Sequence, residues 1–194
     1  MNARQLLLPP NLLSLTRYAV GPTVLLTFDV SDDSTVILAL ILMLIAEATD
    51  VLDGWVARRF GQVTNLGKLL DPLSDSMYRF CIFLAFFSED LMTAWMIVVI
   101  FGRDILVAYV RAFAASNGIV LAARTSGKVK AVVQGIAQVG LVAMLDVPSI
   151  VDPAVARSVG HWLLMIAVLV TAYSAFDYLI GTVRGVVAKT QNAG

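Results

Sequence analysis

Residues 50–75 read D-V-L-D-G-W-V-A-R-R-F-G-Q-V-T-N-L-G-K-L-L-D-P-L-S-D, and the rest of the chain is understood from this stretch. Asp50 and Asp53 lie three residues apart, and Asp71 and Asp75 four apart. Either spacing puts both carboxylates of a pair on one face of a helix. Between the pairs, Gly54 to Leu70 is rich in Gly, Arg, Gln, Thr and Asn, which reads as a helix end, a turn and a new helix start. The simplest geometry is a helical hairpin that sets the two acidic pairs face to face. In apolar surroundings such a cluster is costly unless cations neutralise it.

The surroundings are apolar. Of 194 residues, 59% are hydrophobic and only 14% charged, and the mean hydropathy is +0.83. That composition excludes an ordinary soluble domain and points to an all-α integral membrane protein. No internal repeat or low-complexity linker interrupts the chain, so one domain over residues 1–194 is expected, with no nucleic-acid partner. Met1–Leu8 runs through Pro9 and Pro10 into the first span without an obvious small-residue cleavage site, so no cleaved signal peptide is expected. Arg4 and the Leu6–Leu8 run predict a short N-terminal interfacial helix.

Six transmembrane helices are predicted. They cover Leu12–Phe28, Val36–Val56, Gly67–Phe87, Leu91–Ala115, a fifth stretch from Gly127 to Leu145, and Val159–Gly181. The formal net charge of zero hides an asymmetry. With six spans, Arg4, Arg58, Arg59, Lys68, Arg124, Lys128, Lys130, Arg184 and Lys189 fall on or enter from one side. Asp29, Asp32, Asp33, Glu89, Asp90, Asp146 and Asp152 fall on the other against a single Arg157. The positive-inside rule makes the basic side, with both termini, cytoplasmic. The aspartate stretch then lies in a polar cavity open to the cytoplasmic side of the cell (inner) membrane.

Four close carboxylates repel one another, and hard divalent cations resolve the repulsion, because Mg²⁺ and Mn²⁺ prefer carboxylate oxygens and keep positions open for phosphate. Two such ions held by shared aspartates could clamp a pyrophosphate and stabilise charge on the attacked phosphorus and the leaving group. Gly54 and Gly67 remove side chains where a base or phosphate must come close. Arg58, one turn after Gly54, can fork onto phosphate oxygens. Asn11, Ser14 and Arg17 form a polar stripe at three-residue spacing at the start of the first span. Two readings stand for it: a capped, snorkelling helix end, or ligand contact, with Asn11 and Ser14 on the bound substrate. The chemistry implied is phosphoryl-type transfer at a membrane surface. A purely structural Asp–Arg network and a divalent-cation carrier are the competing readings. A carrier would place its acids nearer the midplane, on broken helices.

The pattern Asp50-x2-Asp53-Gly54-x2-Ala57-Arg58-x8-Gly67-x3-Asp71-x3-Asp75 resembles, at every fixed position, the signature of the CDP-alcohol phosphotransferases (CDP-alcohol phosphatidyltransferases). The likeness extends over nearly the whole chain, because that family is built on six membrane helices with cytoplasmic termini. It implies that Asp50, Asp53, Asp71 and Asp75 hold two divalent ions, and that Gly54, Ala57, Arg58, Thr64 and Gly67 line the CDP site. It implies further that Asp75 is the general base, taking the proton from an acceptor alcohol that attacks the β-phosphorus of a CDP-linked lipid as CMP leaves. A homodimer is also implied.

Acceptor choice should lie outside that shared signature. Arg103, Arg111, Lys128 and Lys130 form a second basic group, which suits either water-facing positive-inside residues or a pocket for an acceptor bearing its own phosphate. Together with Asn11–Arg17, Pro22 and Leu70–Asp75, this group looks like the bacterial phosphatidylglycerophosphate synthases, which join CDP-diacylglycerol to sn-glycerol 3-phosphate. The chain departs from that pattern at Asp104, where Glu is expected, at Ser74, where Ala is common, and at Ser76, where Lys is common. Inositol phosphate is the nearest alternative acceptor, and serine would need less cationic charge.

The remaining polar and soft residues are read as structural. His161, Trp55 and Trp95 suit membrane boundaries or core contacts, Cys81 a small core or lipid-facing position. Glu47, one turn before Asp50, is a hydrogen-bonded or protonated core acid rather than a ligand. Asp177 is either a partner for Arg184 or a bundle-lining acid.

Overall fold

The computed structural model describes residues 8–61, 64–116, 124–146 and 151–191, with all their side chains except those at 65, 68 and 183–191. The expected interfacial helix lies outside the described residues, as do the side chains of Arg4, Lys68, Arg184 and Lys189. Six helices follow one another: α1 (Pro9–Thr27), α2 (Asp33–Arg59), α3 (Asn65–Ser88), α4 (Ala94–Ser116), α5 (Thr125–Leu145) and α6 (Pro153–Gln191).

Their ends follow from local chemistry. Proline opens α1, where its missing N–H costs no hydrogen bond. The Asp32 carboxylate accepts from Ser34 N at 2.9 Å at the start of α2, and Arg58 and Arg59 lie in its last turn, matched to the helix dipole. Gly61, at φ 64°, turns the chain out of α2. Thr64 caps α3, its hydroxyl accepting from Gly67 N at 2.9 Å.

Three helices among the described residues are long and apolar enough to cross a membrane: α2, α5 and the Pro153–Thr182 part of α6. In α4, Arg103, Asp104 and Arg111 interrupt the apolar run, and in α3 Asp71, Asp75 and Arg79 do so. The bundle differs from a water-soluble protein both at its surface and in the polar groups it buries. Ile41, Leu44, Leu52, Tyr109, Phe113, Leu169 and Phe176 are exposed, whereas Arg17, Arg79, Lys130, Gln134, Gln138, Thr171 and Ser174 are buried. Apolar outer faces, with charged and polar side chains set into an apolar core, suit a lipid solvent.

The acids of α2 and α3 converge as expected, at Asp50, Asp53 and Asp71, but not across a packed α2–α3 hairpin. Helix α1 packs against both α2 and α3, which have little contact with each other. Close approach of α1 to α3 needs Gly21: a Cβ there would sit 3.0 Å from Tyr78 Cα and 3.2 Å from Cys81 Cβ. Cys81 is a buried core residue. Helix α5 packs on α6 and touches α2, and α4 packs on α6 and α3. The apolar core is built from Val24, Met43, Tyr78, Phe83, Phe86, Met96, Leu141 and Leu164.

Candidate active site

The start of α1, the end of α2 and the start of α3 meet at one end of the bundle. There Asp50, Asp53 and Asp71 each offer a carboxylate oxygen, all within 4.8 Å of one another. The guanidinium of Arg17, 1% exposed, lies among them. It donates to Asp53 Oδ2 at 3.0 Å and to Asp71 Oδ1 at 2.5 Å, and it pairs with Asp50 as well. Ser14 Oγ donates to the same Asp53 oxygen at 3.0 Å. The polar stripe of α1 is therefore part of the site, not a snorkelling helix end, because α1 is wedged where α2 and α3 would otherwise meet.

A cavity of about 280 Å³ opens beside this cluster. Its walls include Asn11, Ser14, Gly54, Ala57, Arg58, Thr64 and Gly67, which are all of the residues singled out for the CDP-lipid, together with Asp53 and Asp71. The two glycines keep it open. A Cβ on Gly67 would lie 2.7 Å from Asn11 Oδ1, and one on Gly54 would lie 3.3 Å from Arg58 Nη1. Arg58 is exposed at the cavity.

Asp75 is placed differently from the other three aspartates. Its Oδ1 accepts from Arg79 Nε at 3.0 Å, one turn further along α3, and it is not part of the three-carboxylate group. Arg79 was not singled out from the sequence, although its i+4 spacing from Asp75 marks it as a helical partner. Two arginines thus face the aspartates of the motif from within the bundle, more neutralising charge than the spacing alone implied.

The second basic group is divided by Asp104. Lys130 Nζ reaches both Asp104 oxygens, at 2.8 and 3.0 Å, and Arg103 Nη1 lies 3.1 Å from Oδ1. Arg103 Nη2 also donates to Ser174 Oγ at 2.8 Å. A cavity of about 450 Å³ between α3 and α4 is lined by Arg103, Asp104, Arg111 and Ser76 on an otherwise apolar wall that includes Leu73, Met77 and Phe101. Arg111 Nε donates to Tyr178 Oη at 2.9 Å. Lys128 is exposed on the first turn of α5 and does not line this cavity. Asp177 pairs with Arg124 at 2.7 Å and accepts from Ser126 Oγ at 2.5 Å, tying α6 to the start of α5.

The donor set suits a hard divalent cation: three converging carboxylates and no soft ligand. A guanidinium among all three shows how strongly the site demands positive charge. The described residues therefore fit a metal centre at Asp50, Asp53 and Asp71.

Residues 7–173 match the family model described as CDP-alcohol phosphatidyltransferase. A Bacillus subtilis (strain 168) protein named CDP-diacylglycerol–glycerol-3-phosphate 3-phosphatidyltransferase is 35% identical over 181 residues, covering 87% of this chain and 92% of its own length. A protein of the same name from Pectobacterium atrosepticum is 30% identical over 175 residues, 88% of this chain and 92% of its own. One from Rickettsia bellii is 28% identical over 167 residues, 86% and 92% of the two chains.

Proposed function

The chain belongs to the CDP-alcohol phosphatidyltransferase family, and on that premise we propose that it moves the phosphatidyl group of CDP-diacylglycerol onto sn-glycerol 3-phosphate. The acceptor name is taken from the relatives. The acceptor hydroxyl loses its proton, its oxygen bonds to the β-phosphorus, the bond from that phosphorus to the CMP oxygen breaks, and CMP and phosphatidylglycerophosphate leave. The observation that carries this reading is the cavity that gathers seven candidate CDP-lipid residues beside three convergent carboxylates.

Each side chain has a task that its position supports. Arg58, at the cavity, can pair with phosphate oxygens bidentately. Asn11 and Ser14 offer hydrogen bonds from the α1 wall, and Gly54, Ala57 and Gly67 leave room for a flat base or a diphosphate. Thr64 holds the α3 N-terminus in place through its cap. Asp50, Asp53, Asp71 and Asp75 would hold two divalent cations, Mg²⁺ or Mn²⁺, which supply charge neutralisation to the diphosphate and the departing CMP. Asp75 is the base that takes the acceptor proton. Arg103 and Arg111 would bind the acceptor phosphate from the neighbouring cavity, with Lys130 and Lys128, which do not line it, adding positive potential.

The exposed apolar faces support six membrane-spanning helices, and the Lys and Arg asymmetry of the loops supports a cytoplasmic membrane location with the polar cavity and both termini on the cytoplasmic side. A homodimer is carried over from the family.

The test is CMP release from CDP-diacylglycerol by purified protein with Mg²⁺ or Mn²⁺ and a panel of acceptors: sn-glycerol 3-phosphate, inositol phosphate and serine. Turnover with sn-glycerol 3-phosphate and not with the others is expected. No CMP with any acceptor, from folded and metal-supplied protein, would overturn the enzyme reading and leave a cation carrier in its place.

A further inference from the structure

Next to the carboxylate cluster lies a second charge pair that the signature does not include, a buried Arg79 and a part-buried Glu47. Arg79 is 5% exposed. Its Nε is held by Asp75 at 3.0 Å, and its Nη2 stands 3.6 Å from Glu47 Oε1 on α2, within ion-pair range but beyond a hydrogen bond. Arg79 Nη1 and Glu47 Oε1 are both buried without a hydrogen-bond partner among the described residues. Helix α5 brings bare backbone to this point. A Cβ on Gly135 would lie 3.3 Å from each Glu47 oxygen and 3.4 Å from Arg79 Nη1. Gln138 Nε2 donates to the Arg79 carbonyl at 3.3 Å, anchoring α5 to α3 beside the pair.

We propose that Arg79 and Glu47 are positioning residues: Arg79 holds Asp75 apart from the other three carboxylates, and Glu47 is the reserve partner that takes up Arg79 when Asp75 turns toward a bound divalent cation. This rests on the reading of Asp75 as the fourth carboxylate of the metal centre. A buried guanidinium deprived of its only carboxylate is strongly destabilising. If Arg79 depended on Asp75 alone, recruiting Asp75 to the cations would orphan it. Glu47 stands a small side-chain shift from hydrogen-bonding range, and the unpaired Nη1 and Oε1 are groups such a shift could satisfy.

The test uses full-length protein in detergent, with Mn²⁺ affinity read by electron paramagnetic resonance and folding checked by thermal unfolding. Glu47→Gln, nearly isosteric, leaves Arg79 dependent on Asp75. It should weaken Mn²⁺ binding by about tenfold, the scale of outer-sphere partners of metal ligands, and lower kcat while KM for CDP-diacylglycerol stays unchanged. The double variant Glu47→Gln/Arg79→Gln frees Asp75 and should bind Mn²⁺ nearly as the wild type does. In an Asp75→Asn background, Glu47→Gln should change Mn²⁺ affinity no further. A loss that persists there would show Glu47 acting as a distant charge, and unchanged Mn²⁺ affinity in Glu47→Gln itself would show no coupling; either result overturns the proposal. Absence of CMP release by wild-type protein that binds Mn²⁺ would instead count against phosphatidyl transfer.

Discussion

Arg17 Nη2 on α1 lies 3.0 Å from Asp53 Oδ2 on α2, and both side chains are buried. This contact links the polar stripe of the first helix to the aspartates of the motif. The same guanidinium reaches Asp50 and Asp71, so one cation is shared by three carboxylates and offsets only part of their charge.

Replacing Arg17 by Gln should therefore destabilise the protein most when no divalent ion is present. Removing one partner from a buried ionic cluster costs on the order of 3 kcal/mol, and carboxylate repulsion adds to it. Thermal unfolding in detergent should show a large drop in Tm with a chelator and a smaller one in excess Mn²⁺. Equal drops in both conditions would mean that Arg17 and the metal do not serve the same charges.

Asp53→Asn and Asp71→Asn should each reduce CMP release by about a hundredfold or more, since each removes a charged donor at the proposed metal centre. Titration of activity with Mn²⁺ is the discriminating measurement. Near-normal rates with an unaltered metal requirement would refute these residues as ligands.

Gly67→Ala probes the cavity without touching a charge. Its Cβ would come 2.7 Å from Asn11 Oδ1 and 3.2 Å from Thr64 Oγ1, so Asn11 must shift into the space proposed for the CDP-lipid. A misfit of about 1.4 kcal/mol corresponds to a tenfold rise in KM for CDP-diacylglycerol. The acceptor KM should stay the same. If KM for both substrates rose equally, the cavity would not belong to the nucleotide.

Arg111→Ala should raise KM for sn-glycerol 3-phosphate by about tenfold or more, the cost of a lost charge-assisted hydrogen bond, with KM for CDP-diacylglycerol little altered. Comparable changes in both constants would remove Arg103 and Arg111 from the acceptor pocket.

Gly21→Ile tests the α1–α3 contact. The atom facing a Cβ at position 21 is Tyr78 Cα, 3.0 Å away, and a backbone atom cannot rotate aside. A loss of about 2 kcal/mol or more is expected from overpacking, read as a fall in Tm; an unchanged Tm would show that the helices separate freely.

Helix placement was legible because it depends on local pattern. Apolar runs of membrane length, the turn at Gly61 and the cap at Thr64 leave marks within a few residues of where they act. The candidate residues of α2 and α3 were legible for a related reason, since fixed gaps along a helix decide which side chains share a face. Arg79 could have been found by the same rule, four residues after Asp75, but an arginine in an apolar helix is ambiguous until its surroundings are known.

The sequence by itself determined the six helical segments, the lipid-facing character of their outer surfaces and the facial pairing of the aspartates, because periodicity and hydropathy are properties of neighbouring residues. Only the tertiary structure decided that α1 is wedged between α2 and α3, that Arg17 sits among three carboxylates, and that Asp75 turns to Arg79 instead. Those outcomes depend on which helices can approach closely, as Gly21 and Gly135 allow. They also depend on how the buried guanidiniums of Arg17 and Arg79 find carboxylate partners on other turns and helices.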